Sequence, residues 1–202
     1  MRYRKSEIVL APTDLSNFLN CRHATRLDLL AVREGRDRPA RYGAVVEELR
    51  RRGLEHEQAY LRHLKDKGYT VLDATAEEGE TATGLERTKA AMAQGADVIF
   101  QATLAHDGWS GRADFLLKTD GPSSFGSWSY EVIDTKLARE TRAGTILQLC
   151  VYSCLLERLQ DLRPLNMHVV APGSGFVPMT YRIDDYAAYY RYVERHLEQF
   201  VA

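Results

Sequence analysis

The run Tyr130-Glu131-Val132-Ile133-Asp134-Thr135-Lys136 constrains this chain more than any other stretch. Its middle suits a buried strand, because Val132 and Ile133 are β-branched and the flanks at 126–129 and 138–142 are turn-like or polar. Yet the strand ends in an acid and an amine. Side chains alternate across a strand with period two, so Val132, Asp134 and Lys136 share one face while Glu131, Ile133 and Thr135 share the other. A carboxylate and an ammonium therefore stand side by side. Glu131 is turned away from them unless a bulge intervenes.

A second acidic strand precedes this one, Gly111-Arg112-Ala113-Asp114-Phe115-Leu116-Leu117, in which Asp114 interrupts apolar surface. A buried carboxylate is costly unless it is paired, hydrogen-bonded or bound to a metal. Beyond Lys136 the spacing predicts a helix over 141–159, on which Gln148 and Tyr152, four residues apart, lie on one face. For any one of these residues alone, a strand-end salt bridge beside an ordinary amphipathic helix accounts for the pattern.

The ordered set is more specific. Gly111 to Asp114, then Asp134-Thr135-Lys136 closing a hydrophobic strand, then Gln148-Leu149-Cys150-Val151-Tyr152 on a helix, resembles the RecB-type branch of the PD-(D/E)xK nucleases. The resemblance extends over nearly the whole chain, including an N-terminal segment, 15–27, that carries Cys21-Arg22-His23. It implies an α+β fold with a mixed central sheet flanked by helices and a restriction-endonuclease-like core. It also implies metal-dependent hydrolysis of DNA in repair, recombination or defence. Asp114 and Asp134 would then be ligands for magnesium or manganese, hard cations that prefer oxygen donors. His56, on a helix upstream, would complete the metal site. Lys136 would orient or help deprotonate the attacking water, and Gln148 and Tyr152 would contact DNA or position Lys136. Another reading keeps the fold as a catalytically silent module that binds DNA or scaffolds a larger protein.

The resemblance further implies an iron–sulfur cluster held by one cysteine before the core and three after it. Cys21 occupies the early position, but the sequence reaches Ala202 without such a trio. The chain is therefore expected to be one nuclease domain over 1–202, the front part of a longer protein with a fused or associated helicase or second nuclease domain. It is not expected to hold the cluster itself, because four thiolates are the usual requirement. A zinc site built from Cys21, His23, Cys150 or Cys154 competes with a simpler role for Cys150 and Cys154 as small buried hydrophobes.

Composition sets limits. The 202 residues are 45% hydrophobic and 27% charged, ordinary for one globular domain. No apolar run approaches the roughly 20 residues that span a bilayer, and Met1-Arg2-Tyr3-Arg4-Lys5 lacks the apolar core of a signal peptide, so a cytoplasmic protein is expected. A formal net charge of -1 gives no global sign of nucleic-acid binding. Local charge does. Between Arg22 and Arg52 arginines outnumber acids, and Arg22, Arg26, Arg50 and Arg51 are candidate phosphate contacts, against the alternative of a solvated helix face.

Elsewhere the pattern predicts a short extended segment over 6–10 and a helix capped by Thr13 with Leu15, Phe18 and Leu19 inward. A helix over 24–33 follows, then a long one over 45–67 whose apolar stripe is Val45, Leu49, Gly53, His56, Tyr60 and Leu64. His56 on that stripe is either a hydrogen-bonded core histidine or, as the resemblance implies, a metal ligand. A strand over 69–72, an exposed loop over 73–83 and a short helix over 84–94 come next. A hairpin pairs 97–104 with 111–118, and a loop over 119–127 leads to the acidic strand. Strands over 166–171 and 176–183 precede a final helix capped by Asp184, whose Tyr186, Tyr189, Tyr190 and Tyr192 are expected to pack.

Overall fold

The computed structural model describes residues 1–4, 7–36, 43–77 and 79–202. In chain order the elements are β1 (Arg2–Arg4), β2 (Glu7–Val9), α1 (Pro12–Asn20), α2 (Arg22–Glu34), α3 (Ala44–Asp66), β3 (Val71–Asp73) and α4 (Thr81–Ala93). There follow β4 (Val98–His106), β5 (Trp109–Ser123), β6 (Gly126–Thr135), α5 (Ala143–Gln160), β7 (Asn166–Val170), β8 (Met179–Arg182) and α6 (Asp184–Val201). Strands β3 to β8 form one six-stranded sheet in sequence order, and β1 and β2 make a separate two-stranded ribbon. The fold is α+β, a mixed sheet flanked by helices, as expected.

The sheet's centre is a meander. Asp107 and Gly108, with φ of 44° and 77°, make the two-residue turn from β4 to β5, a connection whose twist suits antiparallel strands. β5 then pairs antiparallel with β6, and α5 carries the chain across to β7, which runs parallel to β6. Period-two alternation in β6 divides the interior. Val132 joins a core built with Leu15, Met92, Leu149 and Tyr190 from α1, α4, α5 and α6, while Ile133 joins a smaller core with Tyr60, Leu61 and Leu64 from α3.

Several expectations need correction. Val45 and Leu49 of α3 are exposed, because only the C-terminal half of that helix lies on the sheet and its buried residues are Glu57, Tyr60, Leu61 and Leu64. Thr13 is not a cap: Pro12 already occupies the first turn, and the Asp14 carboxylate takes the Ala11 N–H at 2.8 Å. Leu19, expected inward, is exposed. Asp184 sits inside the first turn of α6, where its charge suits the helix dipole, and pairs with Arg163 at 2.8 Å. The expected loop over 119–127 is instead hairpin, since β5 and β6 stay paired to Ser123 and Gly126. Ala74 and Ala76 are buried within the segment expected to be exposed. On α6 only Tyr190 of the four tyrosines is fully buried, while Tyr189 and Tyr192 are exposed and stacked on each other.

Glu131 is turned from the Asp134 face, as parity requires, and is fully employed there. It accepts from the Asn166 N–H at 2.8 Å and lies 2.9 Å from His168 Nε2, whose Nδ1 meets the Thr180 hydroxyl at 3.0 Å. Burial by itself would raise the Glu131 carboxyl, but His168 and Asn166 outweigh it and hold the group below its ordinary value. A carboxyl lowered on folding contributes stability above its unfolded pKa, near 4.3, and that contribution is lost as pH falls through the lower folded value. Glu131→Gln is therefore expected to cost about 1–3 kcal/mol near neutrality and less in acid. Urea unfolding at about pH 7 and about pH 3 reads this; an equal deficit at both would contradict it.

Candidate active site

The sheet opens at Asp114. Gln101 stands opposite it in β4 but is skipped by the ladder, which runs from Phe100↔Phe115 to Ala102↔Ala113 without a change of register. Gln101 takes φ 54°, a left-handed conformation that costs a residue with a side chain about 1–3 kcal/mol. On the other flank the ladder to β6 ends at Phe115↔Ile133. The next amide, Thr135 N–H, donates to Asp114 Oδ2 at 2.8 Å, and the Thr135 hydroxyl donates to the same oxygen at 2.7 Å. A side-chain carboxylate thus takes the place of a backbone acceptor, which fixes Asp114 at the point where the strands part.

Asp134 and Lys136 share a face, as the alternation predicts. Lys136 Nζ lies 2.5 Å from Asp134 Oδ2. The contact is an ion pair without hydrogen-bond alignment, and among the described residues the buried Oδ2 has no hydrogen-bond donor. Burial, then the charge of Asp114, raises the Asp134 carboxyl. Burial alone would lower the Lys136 ammonium, but Asp134, Asp114 and Glu57 together hold it above its ordinary value. The Lys136 N–H donates to Val170 O at 3.1 Å, anchoring the strand end to β7.

A third acid completes the cluster, and the sequence reading missed it. Glu57 of α3 is buried, accepts from the Gln101 side-chain amide, and is pushed up to about 7 by burial and then by the charge of Asp114. Glu57, Gln101, Arg112 and Asp114 line one cavity of about 440 Å³. Another pocket, of about 350 Å³ between α5 and α6, contains Cys154 and Tyr190 but none of these carboxylates, so the chemistry belongs to the former.

The remaining candidates are placed as follows. His56 is one residue before Glu57: its Nε2 lies 3.1 Å from Val170 O, the carbonyl that also takes the Lys136 N–H, and its ring stacks on Phe176. A carbonyl only accepts, so Nε2 carries the proton and Nδ1 is left as the free lone pair. Tyr152 donates to Arg112 O at 2.9 Å, tying α5 to β5 beside the cluster, and burial followed by Asp134 and Asp114 raises its hydroxyl. Gln148 shares that helix and is half-buried, with no hydrogen-bond partner among the described residues.

Gly111 explains how Tyr152 comes so near. A Cβ there would stand 2.7 Å from Pro12 Cδ and 2.8 Å from Tyr152 Cε1. Gly111→Ala is accordingly expected to lower stability by about 1–3 kcal/mol through overpacking. An unchanged denaturation midpoint would show that the two neighbours yield freely.

The described arginines of the rich stretch have different surroundings. Arg51 pairs with Glu48 and Glu55, and Arg52 with Glu48. Arg22 lies over the Phe18 ring at 5.1 Å, and Arg26 is exposed on α2. Arg38 and Arg41 lie outside the described residues. Arg50 alone of the four named candidates borders a cavity that Arg112 also lines. Cys21 is exposed and caps α2 with its sulfur 3.4 Å from the Ala24 N–H, while Cys150 is buried on α5.

Among the described residues no three His, Cys, Asp or Glu side chains surround one point in ready metal geometry. Magnesium does not require that, since it commonly takes one or two carboxylates and keeps several waters. The donor set suits it: Asp114, Asp134 and Glu57 bring carboxylate oxygens together against the charges of Lys136 and Arg112. Among the described residues no helix is long and apolar enough to cross a membrane. No protein-family model matches the chain, and no curated protein matches it.

Proposed function

We propose that this chain is a divalent-cation-dependent nuclease of the RecB-like, restriction-endonuclease-like kind, hydrolysing phosphodiester bonds of DNA. The observation that carries the reading is the gathering of Asp114, Asp134 and Lys136 where the sheet opens, with Glu57 brought to Asp114 from α3. The order of elements supports it, since the meander supplies both aspartates and the crossover helix supplies Gln148 and Tyr152 beside them.

Asp114 and Asp134 would hold magnesium or manganese, with Glu57 adding an acid beside Asp114 in the same cavity. Bound there, the cation supplies charge neutralisation at the scissile phosphate and acidifies a water. Lys136 presents an ammonium to the phosphoryl oxygens as negative charge develops on them. Thr135, through two donations to one oxygen, keeps the other oxygen of Asp114 free for a ligand. Tyr152 fixes the backbone that carries Arg112.

The test is cleavage of an end-labelled single strand and a duplex in magnesium and in manganese, with Asp134→Ala as the control. Metal-dependent cutting that the control lacks is expected. Binding without cutting in either metal would assign the chain as a silent nuclease-fold module.

A further inference from the structure

Arg112 borders two cavities. One is the carboxylate cavity with Glu57 and Asp114, and the other, about 320 Å³, lies between β5, the N-terminal half of α3 and the start of α4. Three arginines line this second cavity from three elements: Arg2 from β1, Arg50 from α3 and Arg112 from β5. Glu77 and Glu80 lie on its border too, yet among the described residues neither forms an ion pair with any of the three. Two hydroxyls complete the wall. Ser110 is 4% exposed and accepts from Arg2 at 3.4 Å; Thr103 is 7% exposed, and its hydroxyl has no partner among the described residues. Thr103 has room only because Gly84 of α4 lacks a Cβ, which would stand 2.3 Å from Thr103 Oγ1.

Three arginines without ion pairs to the two bordering acids, together with two hydroxyls that can still donate, give this polar cavity a phosphate's donor set, because guanidinium forks and hydroxyls both donate to its oxygens. We propose that this cavity is a phosphate subsite, seating a backbone phosphate of the nucleic-acid strand next to the one presented to the carboxylates. The inference rests on the nuclease reading for its placement along a strand. Arg112 is the link, standing between the scissile position and the subsite, so a strand crosses it without leaving positive potential. Such contacts are blind to base identity and set register along the chain.

The experiment measures fluorescence anisotropy of labelled oligothymidylate of about ten residues, with and without a 5′-phosphate, titrated with intact protein in chelator so that no strand is cut. The parent, Arg2→Ala, the double variant Arg50→Ala/Arg112→Ala, and Arg195→Ala as an exposed arginine of α6 outside the cavity are compared across salt concentrations. The double variant is expected to bind on the order of tenfold more weakly, with a salt slope shallower by about 0.7 for the phosphate lost. Arg195→Ala should match the parent. Equal losses on both strands identify an internal phosphodiester, and a loss confined to the 5′-phosphorylated strand identifies a terminal phosphate. Parent-like affinity and slope in the double variant overturn the subsite, and so does a parent that binds neither strand. Cleavage in magnesium, measured separately, keeps the two readings apart: a protein that cuts but ignores the arginine changes keeps its nuclease reading and loses the subsite. One that binds through these arginines but never cuts keeps the subsite and loses the nuclease.

Discussion

Asp134→Ala is expected to lower metal-dependent cleavage by a factor on the order of a hundred or more, equivalent to about 3 kcal/mol of transition-state stabilisation. The same change should leave the fold standing. Asp134 is buried, its Oδ2 has no aligned donor, and a second carboxylate lies close by, so the folded chain carries this charge at a cost. Removing an acid held for chemistry rather than packing separates activity from stability, whereas truncating a core residue would lower both. Glu57→Gln is expected to follow in the same direction, because it keeps the shape and the Gln101 contact region while removing an acid beside Asp114. An Asp134→Ala protein that cuts like the parent sinks the assignment of the site. A Glu57→Gln protein that cuts normally would restrict the acid set to the two strands.

Parity made the strand half of this site legible. Once 130–136 is read as a strand, period two alone places Asp134 with Lys136 and sends Glu131 away, and the ion pair and the Glu131–His168 contact follow that division. The helix half was harder to read. A stripe drawn through Val45, Leu49, Gly53, His56, Tyr60 and Leu64 is a valid helical face, but the sheet lies beneath only its second half, where the buried set keeps Tyr60 and Leu64 and adds Glu57 and Leu61. Burial of the next residue brings Glu57 to Asp114, while His56 meets Val170 O. Periodicity cannot supply the difference, because which neighbouring residue faces inward depends on where the helix axis crosses the sheet. Gln101 carries even less signal. Nothing in Phe100-Gln101-Ala102 announces a left-handed residue within a strand; the conformation is imposed by the opening at Asp114 and by the Glu57 carboxylate that receives its amide. The glycine of the Gly111 to Asp114 motif, by contrast, has a plain steric reason in Pro12 and Tyr152.

Phe115→Ala should be the most destabilising single truncation on the α3 side of the sheet, costing about 3–5 kcal/mol. The ring is fully buried, meets Tyr60 edge-on with centroids 5.1 Å apart, and lies 5.2 Å from the Phe100 ring. Few other groups hold α3 down. Tyr60, Leu61 and Leu64 are its buried apolar anchors, and the half of the helix before them is exposed. Leu116, the next residue along β5, is just as buried but faces the other core, against α5. Leu116→Ala should cost about 2–5 kcal/mol, yet through a different part of the molecule. Native-state hydrogen exchange distinguishes the two: Phe115→Ala should expose the amides of 57–66 while those of α5 stay protected, and Leu116→Ala should do the reverse. Because Glu57 rides one turn before Tyr60, the loosened helix should also lower cleavage at temperatures where the rest of the fold is intact. Identical exchange patterns in the two variants would mean that both faces of the sheet open together, and that Glu57 is held by the whole fold rather than by the small core beneath α3.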